Sequence, residues 1–82
     1  MTGKEIRNLR QQIGLNQTDF AKLVDADLSQ LMVSRWEREI HKPHKFHRAL
    51  LDQVKRNYER GLYDDITVLR YQLRPRTVKA GT

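Results

Sequence analysis

The chain has 82 residues, enough for one small domain with a single core and too few for two. Sixteen Lys and Arg against ten Asp and Glu leave a formal charge of +6, which favours a polyanionic partner. A content of 38% hydrophobic and 32% charged residues excludes wholesale disorder, and the lack of cysteine excludes a disulfide framework, thiolate metal ligands and a cysteine nucleophile.

Thr2-Gly3-Lys4-Glu5 has the spacing of a capping box, in which the Thr hydroxyl and the Glu carboxylate satisfy each other's orphan amides. Ile6, Leu9 and Ile13 follow at helical spacing, and Gly14 is placed to end that helix in a left-handed conformation with Leu15 packing back. Asn16 then offers an N-cap, with Asp19 favourable near the positive end of a second helix whose buried stripe is Phe20, Leu23 and Val24. Asp25-Ala26-Asp27 interrupts the pattern as a turn. Ser29 is the preferred N-cap of a third helix, in which Val33 and Trp36 face inward and Gln30, Leu31, Ser34 and Arg35 occupy other faces.

Residues 40–42 read as a loop, because Pro43 disfavours helical backbone at Lys42 and is tolerated only in a first turn. A fourth helix is expected from near Pro43 or His44, with Phe46, Ala49, Leu50, Val54 and Tyr58 as its apolar stripe and Gly61 at its end. Beyond it, Leu62, Ile66, Leu69 and Leu73 fit a helix capped by Asp64 or Asp65. The β-branched run Ile66-Thr67-Val68 would also suit a strand, and the helix is preferred. Arg74-Pro75-Arg76 and the residues after it read as a frayed tail. The expected organisation is therefore all-α with four or five helices, divided into a domain over residues 1–61 and a C-terminal extension over 62–82.

In order along the chain, Ile6-x-x-Leu9-Arg10, Gly14-Leu15-Asn16-Gln17, Phe20-Ala21-Lys22-Leu23, Val33-Ser34-Arg35-Trp36-Glu37-Arg38 and Lys42-Pro43 carry a likeness. Together they resemble the lambda-repressor and Cro (Xre) helix-turn-helix family of DNA-binding domains, from about Lys4 to Val54. Two features depart from the family pattern. Glu39 stands where a Gly is usual, and the turn at residues 24–28 is about two residues longer than normal.

The resemblance implies a compact lambda-repressor-like bundle whose third helix enters the major groove of duplex DNA amino end first. It implies base contacts from Ser29, Gln30, Leu31, Ser34 and Arg35. Their chemistries differ, since Gln pairs with adenine, Arg forks onto guanine and Leu packs on a thymine methyl. Gln17 matches the family's phosphate-binding position, and the resemblance makes Glu37 structural, bonded to a neighbouring helix or to Arg10.

Charge distribution gives independent support. Residues 1–42 hold seven Lys or Arg and six acids, whereas residues 43–82 hold nine and four. Lys42, His44, Lys45 and Arg48 surround the start of the fourth helix and are expected to reach the sugar-phosphate backbone, with Arg10 and Arg38 as further phosphate candidates.

Other chemistries fit poorly. His41, His44 and His47 recur every three residues, but no thiol or carboxylate follows at ligand spacing, so no metal and no cofactor is expected. Asp64-Asp65 suits a cap better than an acid/base dyad, since sequence neighbours do not face each other on a helix, and no nucleophile elbow or phosphate loop occurs. An enzyme is not expected. No apolar run approaches the roughly 20 residues of a membrane span, and the start lacks a signal peptide's apolar stretch, so the expected location is the cytoplasm.

The functional expectation is a transcription regulator, a small phage-type or autoregulatory repressor bound as a homodimer to a near-palindromic double-stranded DNA operator. Leu62, Ile66, Leu69 and Leu73 are its dimerisation candidates, the competing reading being an extra helix that closes the monomer's own core. The functional alternative is an antitoxin or adaptor that docks on a toxin, polymerase or other protein, with DNA binding secondary.

Overall fold

The structure is a computed structural model that describes residues 1–73, and the tail expected from residue 74 onward lies outside the described residues. Its elements are α1 (Gly3–Ile13), α2 (Gln17–Val24), α3 (Gln30–Glu37), α4 (Lys45–Glu59) and α5 (Ile66–Leu73), with no strand among the described residues.

Local chemistry accounts for the helix starts. Thr2 and Glu5 form the capping box: the Glu5 amide donates to Thr2 Oγ1 at 3.2 Å, and the Thr2 amide donates to Glu5 Oε1 at 2.8 Å. Asn16 accepts from the Asp19 amide and Ser29 from the Met32 amide, which caps α2 and α3. His44 takes this role for α4, its Nδ1 accepting from the Phe46 amide at 3.2 Å.

The ends are as specific. Gly14 closes α1 at φ 93°, and α4 ends in a Schellman motif with Gly61 at φ 79°. There the Leu62 amide reaches back to the Asn57 carbonyl and the Gly61 amide to that of Tyr58. Helix α3 ends in the same motif, Ile40 bonding Arg35 and Glu39 bonding Trp36, but the left-handed residue is Glu39 at φ 58°. That backbone shape accounts for the Gly expected here from the resemblance, because an L side chain in this conformation crowds the following carbonyl.

The core gathers Ile6, Leu9 and Ile13 of α1 with Leu15, Phe20 and Val24, and Val33 and Trp36 of α3 close it from one side. Leu51 and Val54 enter from α4, and Leu69 from α5. Full burial of side chains this size contributes about 1.5–3 kcal/mol each.

The inward face of α4 differs from the expected stripe. Phe46 and Ala49 are exposed, whereas Leu51 is fully buried and His47 turns inward to meet the Trp36 ring at a centroid distance of 5.3 Å. The actual face runs His47, Leu50, Leu51, Val54, Tyr58, which keeps helical spacing but starts on a polar aromatic.

Residues 66–73 are helical, and Asp65 explains why β-branching did not prevail. Its Oδ1 accepts from the Thr67 and Val68 amides at 3.1 and 3.2 Å, capping α5, and Ile66, Leu69 and Leu73 then fall on one face against the core. Three of the four dimerisation candidates are thereby turned inward: Leu69 is 5% exposed, and Ile66 and Leu73 are half-buried beside it. Their packing closes the chain's own core, and only Leu62 among the four is exposed.

Candidate nucleic-acid interface

Helices α2 and α3 are joined by Asp25 to Ser29, a turn held by the Leu28 amide on the Asp25 carbonyl and by the Asp27 amide on Asp25 Oδ1. The two extra residues are thus accommodated by Asp25 bonding its own loop. From the α4 side, His47 Nε2 stands 3.7 Å from Asp25 Oδ2.

The orientation of α3 is fixed from its far end by Glu37, whose carboxylate is fully buried. Arg10 grips it as a fork, with Nε on Oε2 at 2.7 Å and Nη2 on Oε1 at 3.1 Å, and donates Nη1 to the Leu15 carbonyl at 3.1 Å. Arg7 Nε at 3.4 Å and Gln17 Nε2 at 3.1 Å complete the shell on Oε1. Burial pushes this carboxyl upward. The bonds from Arg10 and Gln17, the Arg10 charge and the Arg7 bond outweigh it and hold the group below its ordinary value.

Of the two roles expected of Arg10, the structure shows the pairing with Glu37. With a side chain only 15% exposed, Arg10 directs its bonds inward to Glu37 and to the Leu15 carbonyl, and so faces away from the solvent that a phosphate contact would need. The clamp joins residues 27 positions apart, and the resemblance, not any local pattern, is what points to Arg10 as a partner of Glu37.

The clamp continues to the surface. Gln17, having donated to Glu37, accepts at Oε1 from Gln30 Nε2 at 2.6 Å. One amide hydrogen and the carbonyl oxygen of Gln30 stay unspent by this bond, as does one amide hydrogen of Gln17 at the exposed amino end of α2. Sequence reasoning placed both residues correctly at helix starts but missed the bond between them.

On α3, Gln30 is exposed and Leu31 is 50% exposed, while Ser34 and Arg35 are half-buried. Ser29 spends an acceptor site on the cap and keeps its hydroxyl hydrogen. Among the described residues no ion pair joins Arg35 to Glu39, whose side chain instead lies against Gly3. Trp36 and Val33 are buried on the opposite side. Met32 packs partly on the core, leaving Leu31 as the apolar residue of the outer surface.

Lys42 and His44 line a cleft with Ser29 and Met32, so the loop before α4 stands beside the start of α3. Arg48 and Lys42 line a second cleft against Thr2, Glu5 and Glu39, which sets Arg48 toward the start of α1. Lys45 and Arg38 are exposed. The ring centroids of His44 and His47 are 4.2 Å apart, but one caps α4 and the other packs on Trp36. Among the described residues no group of three or more His, Cys, Asp or Glu is arranged to hold a metal ion, and no helix is long and apolar enough to cross a membrane.

Residues 6–45 match the family model described as helix-turn-helix, a span that runs from the first core residue of α1 through all of α2 and α3 to the start of α4. No curated protein and no solved structure matches the chain.

Proposed function

We propose that the chain, whose residues 6–45 match the helix-turn-helix family model, is a sequence-specific repressor of transcription of the lambda-repressor-like (Xre) kind. Helix α3 enters the major groove, about 12 Å wide, with its amino end leading.

The observation that carries this reading is the amide pair Gln17–Gln30 at 2.6 Å, anchored through the buried Glu37 to Arg10. A glutamine held this way presents one donor and one acceptor, the pair that adenine matches in the major groove, and its rotamer is set before DNA arrives. Arg35 supplies a fork for guanine, Leu31 apolar surface for a thymine methyl, and Ser29 and Ser34 hydroxyls for base edges or phosphate. Gln17, Arg38, Lys42, His44, Lys45 and Arg48 bind the sugar-phosphate backbone, setting affinity and register without choosing sequence. One such domain reads a half-site. Two copies on a near-palindromic operator place two α3 helices about 34 Å apart, and occupancy of a promoter represses it.

Selection from a random duplex pool, followed by titration of the enriched sequence between about 50 and 200 mM salt, tests this. The expected result is a defined motif and a steep salt dependence. Arg35→Ala or Gln30→Ala relaxes the preference at particular bases by about 1–3 kcal/mol, whereas Lys45→Ala weakens all sequences alike. Uniform loss from all three would refute the division into readers and clamps. An affinity indifferent to salt, with no enriched motif, would instead favour a protein-docking adaptor.

A further inference from the structure

Two guanidinium groups meet the one carboxylate of Glu37, so the clamp behind α3 carries a surplus positive charge. The surplus is not shared evenly. Arg10 directs Nε and Nη2 to Glu37 and Nη1 to the Leu15 carbonyl, whereas Arg7 commits Nε alone, at 3.4 Å, and its side chain is 52% exposed. Among the described residues neither terminal nitrogen of Arg7 has a hydrogen-bond partner, which leaves the outer edge of its guanidinium unspent.

Arg7 and Gln17 donate to the same oxygen, Glu37 Oε1, at 3.4 and 3.1 Å, so the two donors lie no farther apart than those contacts allow. Gln17 opens α2 and keeps one amide hydrogen for the sugar-phosphate backbone. We infer that Arg7 is a further backbone contact, binding the phosphate that Gln17 meets through its Nη edge while its Nε stays on Glu37. This inference rests on the proposal that α3 enters the major groove, which brings that phosphate to Gln17.

The chemistry of the group suits that ligand. A guanidinium presents a planar fork that matches two phosphate oxygens, and such charge-assisted bonds are stronger than neutral ones. Anchoring Nε on a buried carboxylate removes in advance part of the rotamer freedom that a surface arginine loses on binding. Nothing at position 7 of the sequence singles this residue out, because only the fold sets it beside positions 17 and 37. Arg7 chooses no base, since every step of the duplex offers the same phosphate. It adds affinity and fixes register, through the carboxylate that also sets Gln17 and Gln30.

The test measures Arg7→Ala, Arg7→Lys and Gln17→Ala in the full chain, on the enriched duplex and on one of scrambled sequence. Affinity is titrated between about 50 and 200 mM salt, and the backbone phosphates are ethylated one at a time. Arg7→Ala should bind both duplexes roughly five- to thirtyfold more weakly near 0.1 M salt. Its logarithmic salt slope becomes shallower by about 0.9, and the enriched motif is unchanged. Arg7→Lys keeps the charge and therefore the slope. Ethylation at one phosphate, which weakens the wild type, should cease to matter in Arg7→Ala and in Gln17→Ala, and it should be the same phosphate in both. Denaturant unfolding separates contact from support. A lowered midpoint and weaker binding, with the wild-type slope and ethylation pattern, would make Arg7 only a brace for Glu37 and overturn the contact. So would a change at a phosphate other than the one met by Gln17. Arg35→Ala, measured alongside, separates the two ideas. If it relaxes base preference while Arg7→Ala keeps the wild-type slope, only the Arg7 contact fails. If it leaves preference untouched while Arg7→Ala flattens the slope, the reading role of α3 fails and the grip on the backbone stands.

Discussion

The α2–α3 pair and α5 are short helices resting on the same core, and they differ in what is added to that apolar packing. The carboxylate of Glu37, with a shell of two guanidinium groups and an amide, fixes α3, whereas α5 is held by the buried Leu69, the half-buried Ile66 and Leu73, and one arginine bond to a carbonyl. An apolar contact resists removal but tolerates small rotations, since dispersion is non-directional. A forked charge pair is directional, and Gln30 inherits its setting through Gln17. Directional bonds therefore stand where a side chain must be aimed, and apolar packing where a helix need only stay.

Removing the carboxylate is the severest way to break this contrast. Glu37→Ala leaves the half-buried Arg10 without its partner and should cost about 2–4 kcal/mol in denaturant unfolding. Glu37→Gln separates charge from shape. Because the folded state holds this carboxyl below its ordinary value, its stabilisation is complete above the unfolded value of about 4.3 and is lost as pH falls through the folded value. Wild-type stability should thus decline in acid more steeply than that of the Gln variant, and parallel profiles would remove Glu37 from the acid response.

Leu69→Ala should cost about 2–4 kcal/mol through transfer and cavity terms. Its signature is regional: amide exchange should accelerate in residues 66–73, while the selected DNA motif stays unchanged. A changed motif would show that α5 also sets the aim of α3, the helix proposed to read the bases.

The smallest effect, and the one of opposite sign, belongs to Glu39. Glu39→Gly relieves a left-handed conformation that costs an L residue about 1–2 kcal/mol, offset in part by glycine's greater unfolded freedom. A net gain of up to about 1 kcal/mol, read as a raised Tm, is expected; a loss would mean that the Glu39 side chain contributes by packing on the start of α1.

What could be read from the sequence was largely local. Thr2 with Glu5, Gly14, Asn16 and Ser29 act on amides within a few residues, so their roles follow from position alone. The burial of Val33 and Trp36 followed from spacing and from family likeness together. What escaped was set at a distance. Phe46 looked like core because it is apolar, yet Trp36 and Asp25 draw His47 inward and rotate Phe46 out. Arg10 carried two expectations, a phosphate contact and, through the resemblance, a partner for Glu37, and only the fold shows its bonds going to Glu37. The apolar face of α5 was legible, but whether it would close its own molecule or another's depended on where α2 and Gly14 lay.

Gly3 fits against the end of α3 so closely that a β-carbon there would stand 2.4 Å from the Trp36 carbonyl oxygen and 2.7 Å from that of Glu37. The first turn of α1 is thus a backstop, and the helix in front of it has no room to recoil. If α3 reads an operator as proposed, such a molecule can adapt little to imperfect curvature, and the duplex is what has to flex. Stiffness at base steps no side chain touches would then weigh in the choice of site.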